Sequence, residues 1–103
     1  MASLNWTDQS ILDLINISDF IAKDSRRYAK ITIVKIRESA NKIRNYPLLG
    51  RIVPEINLVE IREVIIGNYR LIYLVVDKDR VDILTVFHSS RLLDINELKK
   101  RVR

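Results

Sequence analysis

The stretch IREVIIGNYRLIYLVV, residues 61 to 76, constrains the fold more than any other part of the chain. Two runs rich in β-branched and aromatic residues flank Gly67-Asn68, a dipeptide suited to a tight primed turn. Such a turn pairs the runs antiparallel, with Ile66 opposite Tyr69 and Arg62 opposite Tyr73. A third run, VDILTVFH, follows the polar connection DKDR. Taking residues 77 to 80 as a loop sets Val76 opposite Val81 and Tyr69 opposite His88. On this register Arg62, Tyr69, Tyr73 and His88 share one sheet face, while Glu63, Arg70 and Phe87 lie on the other. Three adjacent strands with short loops make an antiparallel meander.

Upstream, the apolar period is helical. Thr7 is placed to cap a helix starting at Asp8, its hydroxyl accepting a free backbone N–H and the Asp8 charge favouring the positive end. Ile11, Leu14, Ile15, Ile17, Phe20 and Ile21 then form a broad apolar face. A second helix is expected from about Ser25 to Arg44, with Ala29, Ile33, Ile36, Ala40 and Ile43 inward. Arg26, Arg27, Lys30, Lys35, Arg37, Lys42 and Arg44 give it a basic outer surface, which is either a binding face or simply solvated. NYPLLGRIVPEI breaks the pattern, because Pro47 and Pro54 disfavour helix in the residue before each and Gly50 frees the backbone. MASLNW is a candidate short edge strand, and DINELKKRVR a last short helix. Trp6, Tyr28 and Tyr46 are expected in packing roles.

The 103 residues suit one domain, 1–103, with a single modest core. No apolar run approaches the ~20 residues that span a bilayer, and the N-terminus lacks the pattern of a signal peptide, so a cytoplasmic protein with no membrane partner is expected. Without cysteine, and with one histidine, disulfides, thiolate metal sites and a zinc centre are not expected, and no cofactor is implied. The net charge of +5 favours an anionic partner such as nucleic acid, a ribosome or an acidic protein segment, without choosing among them.

No phosphate loop, nucleophile elbow or paired-carboxylate site is present. His88, beside Tyr69, is suited to proton transfer near neutral pH, or equally to packing at a strand end. Arg51, Arg62, Arg70 and Arg91 fall in or next to the β half. Clustered guanidinium forks there suit phosphates, yet the same side chains pair equally well with Glu55, Glu60, Glu63 or Asp82. Alternation puts Tyr69 and Tyr73 together on one face, where they are suited either to packing or to contact with a partner.

The order of elements carries a resemblance. A short strand, two helices, a P-x-x-G-R turn and a meander ending in H-x-x-R together resemble the RelE/ParE superfamily of toxins from toxin–antitoxin pairs. The similarity rests on WTDQSILDLINISDFIA, on PLLGR at 47 to 51, on REVIIGNYRLIYLV at 62 to 75, and on VDILTVFHSSR at 81 to 91. It implies an α+β fold, an antiparallel meander packed on a two-helix hairpin, and a partner antitoxin that wraps the toxin. Two activities are implied. RelE-like members are endoribonucleases that cut messenger RNA on the ribosome, with basic residues stabilising the phosphorane. ParE-like members, associated with plasmid stabilisation, inhibit DNA gyrase. Arg70 matches the strand arginine of the ribonucleases, in the context x-R-L-x-Y. Ribonuclease members commonly add a tyrosine at or beyond the last strand, whereas no tyrosine follows Tyr73 here. The strand end therefore resembles the ParE pattern more, and gyrase is the leading expected target. For the ribonuclease alternative, Arg70, His88 and Arg91 are the candidate catalytic residues. Arg51, Arg62, Arg70, Tyr69 and Tyr73 are the candidate target- or RNA-binding residues in either case. A non-toxic binding module is a third reading.

Overall fold

The computed structural model describes residues 1–101, so Val102 and Arg103 of the expected last helix lie outside the described residues. The elements are β1 (Ser3–Trp6), α1 (Asp8–Ala22), α2 (Arg26–Asn45), β2 (Arg51–Ile52), β3 (Ile61–Ile66), β4 (Tyr69–Asp77), β5 (Arg80–His88) and α3 (Ile95–Arg101). The five strands form one sheet in the order β1-β5-β4-β3-β2. The expected α+β architecture is present, with the α1–α2 hairpin on one sheet face. The sheet itself is mixed. β1 joins β5 in parallel at one edge, and the two helices carry the chain to β2 at the opposite edge.

The hairpin follows its turn chemistry. Ile66 pairs with Tyr69 and Arg62 with Tyr73, and Gly67 takes a positive φ of 57°. In the next hairpin Tyr69 does face His88, but Val81 faces Val75 rather than Val76. Asp77 and Arg80 pair, so the loop is the two residues Lys78-Asp79 rather than four. Register shifts between Val75 and Asp77 and between Ile72 and Tyr73 offset one another, which leaves the face assignment at the far end intact.

Each helix begins where its capping chemistry allows. Thr7 Oγ1 accepts the Ser10 N–H at 3.2 Å, and Ser25 Oγ accepts the Tyr28 N–H at 3.1 Å. Ala29, Ile36, Ala40 and Ile43 of α2 are buried as expected. The apolar face of α1 is less buried than its period suggests. Leu14 and Ile17 pack on the core, whereas Ile11, Ile15 and Phe20 are exposed. The sheet-facing side of α1 runs through Ser10 and Asp13, which hydrogen-bond to residues at the β1–α1 junction and on β5. Trp6 packs against the core, but Tyr28 and Tyr46 are exposed, which corrects the packing role expected for those two.

Two apolar clusters sandwich the sheet. Ile36, Ala40, Ile43, Leu71, Tyr73, Ile83 and Val86 form the helix-side cluster. Val53, Ile61, Ile72, Leu84, Phe87 and Leu98 form the other, beneath the 53–60 loop and α3. Asp94 caps α3 by accepting the Glu97 N–H.

Tyr73 locks the connection from α2 to β2. Its hydroxyl donates to the Pro47 carbonyl and accepts the Gly50 N–H, each at 2.8 Å. A side chain at Gly50 would collide with the Glu63 carbonyl and that same hydroxyl, so this close approach requires glycine. Burial pushes the Tyr73 phenol above its ordinary pKa, which keeps it protonated and able to donate. Tyr73→Phe leaves one backbone donor and one acceptor unpaired, so it is expected to cost about 1–3 kcal/mol in urea unfolding while the helical circular dichroism is retained.

Candidate functional site

The arginines of the β half are drawn into two local structures. On the sheet face away from the helices, the Glu63 carboxylate is fully buried, with 0% side-chain exposure. Arg51 Nε donates to its Oε2 at 2.5 Å, and Arg70 Nε to its Oε1 at 2.7 Å. Arg70 turns its remaining nitrogens to Glu55, at 2.9 and 3.1 Å, in a bidentate pair. Its guanidinium also lies over the Phe87 ring, 5.4 Å from the centroid. Only 11% of the Arg70 side chain is exposed. Pairing with Glu55 above all, and then with Glu63, raises the Arg70 pKa further above its ordinary value, against the opposing effect of burial. The same contact holds the Glu55 carboxyl below its ordinary pKa.

Arg62 belongs to the second structure. Its Nε donates to the Val59 carbonyl at 3.0 Å and its Nη1 to the Gly50 carbonyl at 2.9 Å. It therefore braces the turn that Tyr73 holds from beneath. Of the residues singled out in the sequence, Arg51 and Arg70 share the Glu63 cluster, while Arg62 and Tyr73 meet at the 47–50 turn. Tyr73 is fully buried and presents no ring surface to a partner.

Tyr69, His88 and Arg91 gather elsewhere, around a cavity of about 490 Å³ between α1 and the end of the sheet. Asn16, Ile17 and Phe20 of α1 and Val86 of β5 complete much of its wall. Tyr69 meets His88 edge to face, with ring centroids 5.5 Å apart and planes at 80°. Residues 88 to 91 form a turn in which the Arg91 N–H donates to the His88 carbonyl at 3.0 Å. The Ser90 N–H donates to His88 Nδ1 at 3.1 Å, and the Ser90 hydroxyl lies 2.7 Å from the same nitrogen. A backbone N–H can only donate, so the neutral imidazole carries its proton on Nε2. The H-x-x-R spacing seen in the sequence is the spacing of this turn.

The α1 contribution was not legible from motifs. Asp13 accepts the Thr85 hydroxyl at 2.6 Å and the Val86 N–H at 3.1 Å through Oδ2, and Gln9 at 2.9 Å through Oδ1. Its signal is a carboxylate one helical turn after Gln9, set among apolar positions. Among the described residues, no group of three or more His, Cys, Asp or Glu side chains is placed to hold a metal ion, and no helix is long and apolar enough to cross a membrane.

These features define a class: a small basic α+β protein with a two-helix hairpin on a five-stranded sheet, of the kind built by toxins of toxin–antitoxin pairs. The model of the ParE toxin of the type II toxin–antitoxin system parDE matches residues 4–93, and the chain belongs to that family, within the RelE/ParE superfamily. The relative Toxin RelE2 of Caulobacter vibrioides is 30% identical over 93 residues, spanning 89% of this chain and 100% of its own length. The fold is shared with a solved chain of the chromosomal ParDE system of P. aeruginosa, at a TM-score of 0.70 and 21% identity over 85% of this chain and 96% of that one. It is also shared with the YoeB dimer structure from Staphylococcus aureus, at 0.54 and 20% identity over 82% and 92%. Membership makes this chain a type II toxin component and implies a cognate antitoxin as its partner.

The Glu55–Arg70 pair carries a pH dependence of stability. The folded-state pKa of Glu55 lies below the unfolded value, so its contribution is fully present above the unfolded pKa. That contribution is lost as the pH falls through the folded value. Urea unfolding from pH 7 to pH 3 is expected to show Glu55→Gln as the less stable protein at pH 7, with the gap from wild type closing toward the acid end.

Proposed function

We propose that this toxin is ParE-like and acts by inhibiting DNA gyrase, with its cognate antitoxin neutralising it. The observation that carries this reading is the engagement of Arg70. A ribonuclease of this superfamily needs its strand arginine free to meet phosphate. Here that guanidinium is forked onto Glu55, bound to buried Glu63 and covered by Phe87. Arg62 is likewise committed to the 47–50 turn. A phosphate would have to displace carboxylates already held in charge-assisted hydrogen bonds. His88 supports the same reading, because its Nδ1 already accepts the Ser90 N–H and is not open to take a proton from a 2′-hydroxyl. In this proposal Arg51, Arg62, Arg70 and Tyr73 hold the structure, and Tyr69, His88 and Arg91 are left for contact with other molecules.

A second reading, cleavage of messenger RNA on the ribosome, draws on the similarity to Toxin RelE2 and on the meeting of His88 and Arg91 at one cavity. One pair of assays separates the two. Purified toxin is expected to abolish supercoiling by gyrase and to leave a mapped messenger RNA intact on translating ribosomes. Codon-positioned cleavage with normal supercoiling would establish the ribonuclease instead.

A further inference from the structure

The fold leaves the cations of α2 without a structural task. Arg26, Arg27, Lys30, Lys35, Arg37 and Lys42 are all exposed. Among the described residues none of the six forms an ion pair, whereas Arg51, Arg70 and Arg80 of the sheet each do. Helical spacing divides the six. Lys35 and Lys42 lie three residues before and four after Glu38, the one acidic residue of α2, which offsets them. Arg26, Arg27, Lys30 and Arg37 have no acidic residue three or four positions away on the helix.

These four charges work against the helix that carries them. Arg26 and Arg27 occupy its first turn, where the aligned peptide dipoles already make the helix end positive and a cation is unfavourable. Lys30 stands four residues after Arg26 and three after Arg27, so like charges face one another across a single turn. Lys23, at the C-cap of α1, adds one more at the same end of the hairpin, and Asp24 is the one carboxylate in the connection. Their combined effect is outward, a positive potential concentrated along the N-terminal half of α2.

Geometry gathers them as well. Arg26, Lys30 and Arg37 follow one another along one side of α2 and line a groove of about 490 Å³ together with Ser18 and Ala22 of α1. At 1.5 Å per residue the row is about 16 Å long. Duplex DNA carries one charge per ~1.7 Å of its axis, so it presents roughly ten phosphates over that length. Three of the four cations are arginines, whose planar forks take two phosphate oxygens at once. The small side chains of Ser18 and Ala22 leave a backbone room to approach.

A second copy of this chain would bring the same positive surface to this place and be repelled by it. The sheet arginines are no rival site, since carboxylates hold them on the face away from the helices. An acidic protein segment is attracted by the same charges. Two things favour DNA over it: the length of the row, and a proposed target that is an enzyme holding duplex DNA at its own surface.

We propose that the N-terminal half of α2 is a contact for the phosphate backbone of duplex DNA, made by Arg26, Arg27, Lys30 and Arg37. Contacts to phosphate carry no sequence information directly, so the grip is indifferent to base sequence. The inference rests on the reading of gyrase as the target and deepens it: the toxin holds the DNA that the enzyme has bound.

The test titrates full-length toxin onto a fluorescein-labelled duplex of mixed sequence, read by anisotropy over a series of salt concentrations. Four neutralised phosphates give a slope of log affinity against log salt of about −3.6. A variant carrying Arg26→Gln, Arg27→Gln, Lys30→Gln and Arg37→Gln is expected to bind at least about tenfold more weakly, with the slope brought toward zero. It is also expected to be at least as stable as wild type in urea, because the charges it loses oppose the helix, so weak binding is not unfolding. A control with Lys35→Gln, Lys42→Gln, Lys99→Gln and Lys100→Gln loses the same net charge and is expected to keep the wild-type slope. An equal loss in both variants reports net charge alone and overturns the proposal, as does a wild type that leaves the duplex unbound at low salt. Loss of ribosomal RNA or antitoxin binding by the first variant, with its affinity for the duplex unchanged, also overturns it and assigns the charges to that partner. Supercoiling assays separate this inference from the reading beneath it. Gyrase inhibition at wild-type strength by the first variant overturns the DNA contact and leaves gyrase as target. Duplex binding through these residues without inhibition by wild type refutes gyrase and leaves the contact standing.

Discussion

The buried carboxylate of Glu63 is the constraint around which the sheet is arranged. A carboxylate removed from water is stable only when its oxygens are paired, and leaving it alone would cost several kcal/mol. Glu63 meets that demand with two guanidinium groups, from Arg51 on β2 and Arg70 on β4. Arg70 has donors to spare, and they reach Glu55 in the 53–60 loop. One buried charge therefore ties three strands and a long loop together. It also specifies register, because slipping β3 by one residue would drive Glu63 into the apolar helix-side core and strip Arg62 from the turn it braces.

This arrangement also decides where the positive charge of the protein is felt. Arg51, Arg70 and Arg80 each face a carboxylate partner, which offsets their charge locally. The excess lies on α2, whose exposed Arg26, Arg27, Lys30, Lys35, Arg37 and Lys42 have few acidic neighbours on the same helix. α1 is the opposite, since residues 1 to 22 contain Asp8, Asp13 and Asp19 and no lysine or arginine. An anionic surface is attracted to the α2 side of the molecule, away from the sheet arginines that a phosphate-cleaving centre would use.

How much of this was legible in the sequence depended on how local the signal was. The Gly67-Asn68 turn and the alternation around it gave the register of β3 and β4, and with it the face shared by Glu63, Arg70 and Phe87. Thr7 and Asp8 marked the start of α1. What escaped was set by contacts distant along the chain. The parallel pairing of β1, the two compensating register shifts and the Asp13 cap on Val86 depend on how α1 crosses the sheet edge, which periodicity does not report. The apolar period of α1 was real, but it counted Ile11, Ile15 and Phe20 as inward. A partner that covers them supplies the same hydrophobic gain as a core would, so the period cannot distinguish the two. The arginines posed a similar problem: their number suggested an anion site, while their carboxylate partners, Glu55 and Glu63, were visible only as alternatives.

The histidine near the end of β5 draws these threads together. Its carbonyl closes the 88–91 turn, and its Nδ1 accepts from Ser90. The first of these ends the strand and brings Arg91 back to the cavity. The second engages Nδ1 with the backbone of its own turn. A residue kept for proton transfer would be expected to have a carboxylate or a second imidazole orienting it, and His88 has instead a serine and the edge of the Tyr69 ring.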